Sequence, residues 1–87
     1  MVSKKVTIVN AQGFHMRPAS TFANSLAKYA CDVVLKVNGK DVNAKSLMNI
    51  IAACIKCGNE VEVVCNGADE EAALAEAVAM IESGFGE

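Results

Sequence analysis

The chain has no tryptophan, one tyrosine, one proline, one histidine and a single arginine. Neither sign of charge dominates its 87 residues, whose formal net charge is -2. A sequence pI near 5.3, with eight dispersed basic residues, excludes binding driven by nonspecific attraction to nucleic acid or to an anionic membrane surface. Long hydrophobic runs are missing too. Stretches 33–37 and 50–55 are far too short to span a bilayer, and the first residues lack the apolar core of a secretory signal. The expectation is a cytoplasmic protein without membrane insertion. With no repeat, linker or low-complexity segment, residues 1–87 read as one domain, and 53% hydrophobic content suffices for its core.

The scarcity of histidine also limits what the four cysteines can do. Cys54-x-x-Cys57 invites a zinc or thioredoxin-like reading, but a structural zinc site needs four ligands and the one histidine lies far away in sequence. No metal and no cofactor are expected. Without secretory signals and with apolar neighbours, Cys31, Cys54, Cys57 and Cys65 read as reduced, small, buried side chains. A hydrolase using a histidine base also lacks parts, since no motif marks a Ser or Cys nucleophile with an orienting acid.

What is present begins with alternation. Val6 and Ile8 against Thr7 and Val9 suit a strand, and 10–13 reads as loop. Pro18 supplies the φ of a first helical turn, and Ala19, Phe22, Ala23, Leu26 and Ala30 follow at helical spacing. Val33, Leu35 and Val37 precede Asn38-Gly39, the strongest short hairpin signal, with 40–43 returning as a partner strand. Ser46 is a preferred N-cap for a short helix opened by Leu47, Met48, Ile50 and Ile51 and ended by Gly58. Residues 60–65 alternate as a strand with Val61, Val63 and Cys65 inward. Asp69 can cap a last helix whose stripe is Leu74, Ala77, Val78 and Ile81. The order strand, helix, strand, strand, helix, strand, helix predicts an α+β fold with a mostly antiparallel sheet and helices on one face.

The first helix breaks a rule that the last one obeys. A helix N-terminus carries partial positive charge, so the acidic Glu70 and Glu71 belong where they stand, whereas His15 and Arg17 do not. Unpaired backbone donors together with cations make an anion site, and phosphate is the natural guest. Neutral imidazole is a nucleophile near pH 7 that can accept a phosphoryl group on a ring nitrogen, and Arg17 could neutralise the added charge. Because each ~1.4 kcal/mol of excess stabilisation slows release about tenfold, a carrier needs only moderate anion binding.

The stretch Gly13-Phe14-His15-Met16-Arg17-Pro18-Ala19 resembles the active-site motif of the HPr family, the histidine phosphocarriers of the sugar phosphotransferase system: Gly, apolar, His, Ala, Arg, Pro, Ala. The likeness extends through Asn38-Gly39-Lys40, Lys45-Ser46-Leu47-Met48, the Gly58 turn and the acidic start of the last helix. It implies an open-faced sandwich of four antiparallel strands under three helices. It also implies that His15 is phosphorylated by enzyme I and discharged onto enzyme IIA, with phosphoenolpyruvate as ultimate donor. Arg17 would be the charge partner, and the backbone at Met16, Arg17 and Pro18 would complete the phosphate cradle. Met16 and Phe14 are bulkier than the family's usual residues.

Ser46 matches the serine that Gram-positive HPr proteins present to HPr kinase/phosphorylase, which implies regulatory phosphorylation and a catabolite-control regulator as a further partner. A phosphoserine would add about −1.5 to −2 charges at a positive helix end. Phe14, Met16, Ser20, Leu47, Met48 and Ile51 are the expected docking residues, on a monomer that meets its partners in turn. The rival reading is an HPr-like regulatory module acting through Ser46.

Overall fold

A computed structural model describes residues 1–11 and 13–86. Its elements are β1 (Val2–Thr7), α1 (Met16–Leu26), β2 (Asp32–Val37), β3 (Lys40–Asn43), α2 (Leu47–Ala52), β4 (Glu60–Asn66) and α3 (Glu70–Glu82), followed by a 3₁₀ turn at Gly84–Gly86. The four strands form one antiparallel sheet in the order β1-β4-β2-β3.

Period-two patterning decides which face is covered. Val33, Leu35 and Val37 of β2, and Val61, Val63 and Cys65 of β4, are buried, while Lys36 points to the open face. On that open face the register sets Glu62 opposite Lys5 in one direction and Lys36 in the other, and cross-strand neighbours of opposite charge typically contribute about 0.2–1 kcal/mol each. The covered face carries the helices. Phe22 and Leu26 of α1, Ile50 of α2 and Ala73, Ala77 and Ile81 of α3 complete a single core.

The hairpin forms as its sequence requires. Asn38 and Gly39 have φ of 52° and 78°, the pair of left-handed residues a type I′ turn needs, and Val37 pairs with Lys40 across it.

Several expectations are corrected. Helix α1 ends at Leu26 with Ala27 as C-cap, so Ala30 is an exposed loop residue beyond it. Helix α2 spans only 6 residues and stops well before Gly58, because Cys54 turns to φ 54°. Cys54 and Cys57 are therefore exposed, whereas Cys31 and Cys65 are buried as expected. Asp69 occupies the N-cap position of α3 without capping it. Its carboxylate instead accepts the backbone N–H groups of Ala30 and Cys31 at 2.8 and 2.9 Å, tying the α1–β2 loop to the start of α3. Glu70 reaches back to accept the N–H of Gly67 at 3.1 Å, fastening the turn that leads into the helix.

Candidate functional site

The loop from β1 to α1 is anchored from below by a ring cluster. Phe14 packs edge-on against Phe22 of α1 at 5.2 Å and against Phe85 after α3 at 5.1 Å, and Phe22 and Phe85 are 6.0 Å apart. Such T-shaped pairs contribute beyond the area they bury. Phe14 is only 4% exposed, so its place on a docking surface is withdrawn: the ring is core, and its burial fixes where the next residue stands.

That next residue is His15, the N-cap of α1, in extended conformation and partly exposed. Its side chain makes no capping hydrogen bond, while its carbonyl accepts the N–H of Ala19 at 3.0 Å. The N–H groups of Met16 and Arg17 occupy the first turn, where no carbonyl of the helix is available, and Pro18 has no N–H to satisfy. Pro18 is buried; Met16 and Arg17 are exposed. No acidic residue lies in the first turn of α1, in contrast to Glu70 and Glu71 in that of α3, so side chains of α1 leave its N-terminal field uncancelled. The chain thus places an imidazole, a guanidinium and two backbone donors within three consecutive residues at a positive helix end.

The loop is also held from behind, by one local contact and one distant one. Asn10, buried, donates its side-chain amide to the carbonyl of Gly13. Phe14 donates its N–H to the carbonyl of Ile55 at 3.0 Å. Gly13, at φ 64°, lies so close to the α2–β4 loop that a Cβ would clash with the Ile55 carbonyl oxygen and stand 2.7 Å from Lys56 Cα. An asparagine three residues before a glycine is a signal for such a turn; the partnership with Ile55 has none.

The other sequence-selected residues lie on α1 and α2, which pack against one another. Ser20, partly buried, accepts a hydrogen bond from the Asn24 side chain at 3.4 Å. Leu47 and Ile51 are partly buried against the core, while Met48 is 75% and Met16 61% exposed. Ser46 is the N-cap of α2 and its Oγ accepts the N–H of Asn49 at 3.3 Å. Among the described residues no cluster of three or more His, Cys, Asp or Glu side chains is arranged to hold a metal, and no helix is long and apolar enough to cross a membrane.

Residues 2–83 match the family model described as the PTS HPr component phosphorylation site. The phosphocarrier protein HPr of Treponema pallidum is 36% identical over 87 residues, which cover 100% of this chain and 99% of that one. The HPr-like protein Crh of Bacillus subtilis is 35% identical over 94% of this chain and 96% of its own. Among solved structures, HPr from Thermoanaerobacter tengcongensis superposes with a TM-score of 0.96 at 38% identity, covering 100% of this chain and 98% of that one. HPr from that organism has also been solved as a dimer.

Proposed function

Since the chain belongs to the HPr phosphocarrier family, we propose that it accepts a phosphoryl group on His15 from phospho-enzyme I and passes it to sugar-specific enzyme IIA proteins. The observation that carries this reading is the position of His15: N-cap of a helix whose first turn holds no acid, directly after a buried anchor and directly before exposed residues. In the transfer, an imidazole nitrogen forms a bond to phosphorus as the donor's bond to phosphorus breaks. The same exchange runs onward when an acceptor nucleophile displaces the imidazole. The transition state is loose and spreads charge over the equatorial oxygens, so the chain's part is positioning and electrostatics. Arg17 and the N–H groups of Met16 and Arg17, at the turn that Pro18 shapes, meet that charge. The site is shallow and open, which keeps the phosphoryl group transferable and leaves both halves of the cycle to partner proteins.

Met16 and Met48 supply adaptable apolar surface beside the site, and Ser20, Leu47 and Ile51 offer partly exposed edges for the same docking. Serial docking needs this face uncovered, which the monomer provides. The protein acts in the cytoplasm, where both partners are met.

Phosphorus NMR of the protein mixed with enzyme I and phosphoenolpyruvate tests the reading. An acid-labile phosphohistidine signal is expected from the native chain and not from His15→Ala, and silence from the native chain would overturn it.

A second site is favoured by Ser46, which is partly exposed at the start of α2 with its Oγ facing a backbone donor. Phosphorylation there by HPr kinase/phosphorylase would alter the docking face seen by enzyme I and create one for a catabolite-control regulator. Incubation with such a kinase and ATP is the check, and absence of phosphoserine at residue 46 ends that part of the proposal.

A further inference from the structure

Two reactive groups beside the site are unused by the phosphocarrier chemistry. Cys54 and Cys57 are both exposed thiols, separated by two residues in the loop between α2 and β4. Cys54 directly follows the C-cap of α2 and takes a left-handed conformation, φ 54°, at a position where glycine or asparagine is usual. A cysteine holding a glycine's place in an exposed turn asks for an explanation in the thiol.

That turn is bonded to the segment leading to His15. Between the cysteines, Ile55 is 2% exposed and its carbonyl takes the N–H of Phe14 at 3.0 Å. Cys57 Sγ stands 3.9 Å from the carbonyl oxygen of Val9, a contact suited to a weak S–H donor. Gly58 donates its N–H to Ile8 at 2.8 Å, and Ile8 donates to Asn59 at 2.9 Å. Gly13 leaves no room between the two loops. A displacement of Ile55 and Lys56 therefore reaches Gly13 and Phe14 directly, and His15 is the following residue.

We propose that Cys54 and Cys57 form a peroxide-sensitive modification site whose product, an intramolecular disulfide, shifts the His15 loop. One thiolate attacks an oxygen of hydrogen peroxide, the O–O bond breaks, and the departing hydroxide takes up the thiol's proton as water, leaving a sulfenic acid. The second sulfur then attacks the sulfenic sulfur: the S–S bond forms, the S–O bond breaks and a second water leaves. Two thiols are oxidised by two electrons in all, and one peroxide is reduced to two waters. Exchange with a reducing thiol reverses the change.

A disulfide holds the two Cα atoms within about 4.4–6.8 Å. Only Ile55 and Lys56 lie between them, so any change in their separation falls on these residues. The side chain of Ile55 is locked in the core, which leaves its carbonyl, the acceptor for Phe14, as the part that moves. Cys31 and Cys65, at 2% and 0% exposure, are closed to peroxide in the folded chain.

The consequence for phosphoryl transfer rests on the carrier reading; the disulfide and the loop shift do not. The folded protein is treated with hydrogen peroxide, alkylated, digested and analysed by mass spectrometry, with a ¹⁵N-labelled sample followed by amide NMR. The expected result is a 54–57 cross-linked peptide lighter by two hydrogens, reversed by dithiothreitol and absent from Cys57→Ser and Cys54→Ser. The amide signals of Gly13, Phe14 and His15 should move, while those of the Asn38-Gly39 turn stay. Uptake of phosphate from phospho-enzyme I should fall severalfold on oxidation. Free thiols, sulfinic acids, intermolecular dimers, or a disulfide that leaves the signals of residues 13–15 in place would each overturn the proposal. If the disulfide forms and the signals move but neither form accepts phosphate, the carrier reading fails and the redox coupling stands.

Discussion

Phe14 donates its backbone N–H to the carbonyl of Ile55 at 3.0 Å, joining the loop that carries His15 to the loop that follows α2. With Phe14's ring buried against Phe22 and Phe85, this bond fixes both the depth and the direction from which α1 begins.

Gly13→Ala should loosen that junction. Its φ of 64° disfavours any Cβ, and the added atom would meet backbone, which cannot swing aside as a flexible side chain could. A loss of about 1–3 kcal/mol is expected from urea denaturation, together with slower phosphorylation of His15. Unchanged stability would mean that the two loops part more easily than their spacing implies.

Arg17→Ala should leave stability within about 0.5 kcal/mol, because the side chain is exposed. Phosphoryl uptake from phospho-enzyme I should nevertheless slow by about ten- to a hundredfold, the equivalent of losing one charged hydrogen bond of about 1.5–3 kcal/mol. Rapid-quench measurement of the transfer rate decides this.

Ser46→Ala removes the acceptor for the Asn49 N–H. The contact is long at 3.3 Å, so the cost should lie near the low end of cap deletions, about 0.5–1 kcal/mol by thermal or urea denaturation. Ser46→Asp keeps an acceptor and should restore most of the difference.

Asp69 gives the fold an acid-sensitive clasp. Its pKa is held below the usual carboxylate value, chiefly by the N–H of Ala30 and also by hydrogen bonds from Cys31. A folded-state pKa below the unfolded one contributes stability that is fully present above about pH 4 and is lost as pH falls through the lowered value. Glu76, bonded to Tyr29 and Lys28, is shifted the same way and adds to the loss. Asp69→Asn should therefore lower the urea midpoint at neutral pH and flatten its decline in acid. An unchanged acid profile would remove Asp69 from this role.

Cys54→Gly should raise stability by about 0.5–1 kcal/mol, since a left-handed position costs glycine nothing. Calorimetry of the reduced protein measures this apart from any oxidation.

Those outcomes divide along the line between what was legible in the sequence and what was not. Val33, Leu35 and Val37 announce a half-covered strand by alternation, and Asn38-Gly39 announces its turn, because both signals are local and the tertiary fold agrees with them. The electropositive start of α1 was legible for the same reason: His15, Arg17 and the missing acids are neighbours in the chain. Long-range partners were not. Asp69 reads as a cap, yet Ala30 and Cys31, 39 and 38 residues away, claim its carboxylate. Phe14 looks like an exposed rim residue until Phe85 arrives from the far end of the chain to cover it. The apolar run 50–55 suggests continued helix, but the left-handed turn at Cys54 ends it and puts two thiols on the surface.

The strand order β1-β4-β2-β3 has a further consequence for how the chain is made. Val2 finds its cross-strand neighbour only in Cys65, and β1 lies against β4 alone. On the ribosome, the first strand therefore waits without a partner until most of the polypeptide has emerged. Closing the sheet therefore means joining segments from opposite ends of the sequence, a closure whose cost in chain entropy is paid before its contacts form.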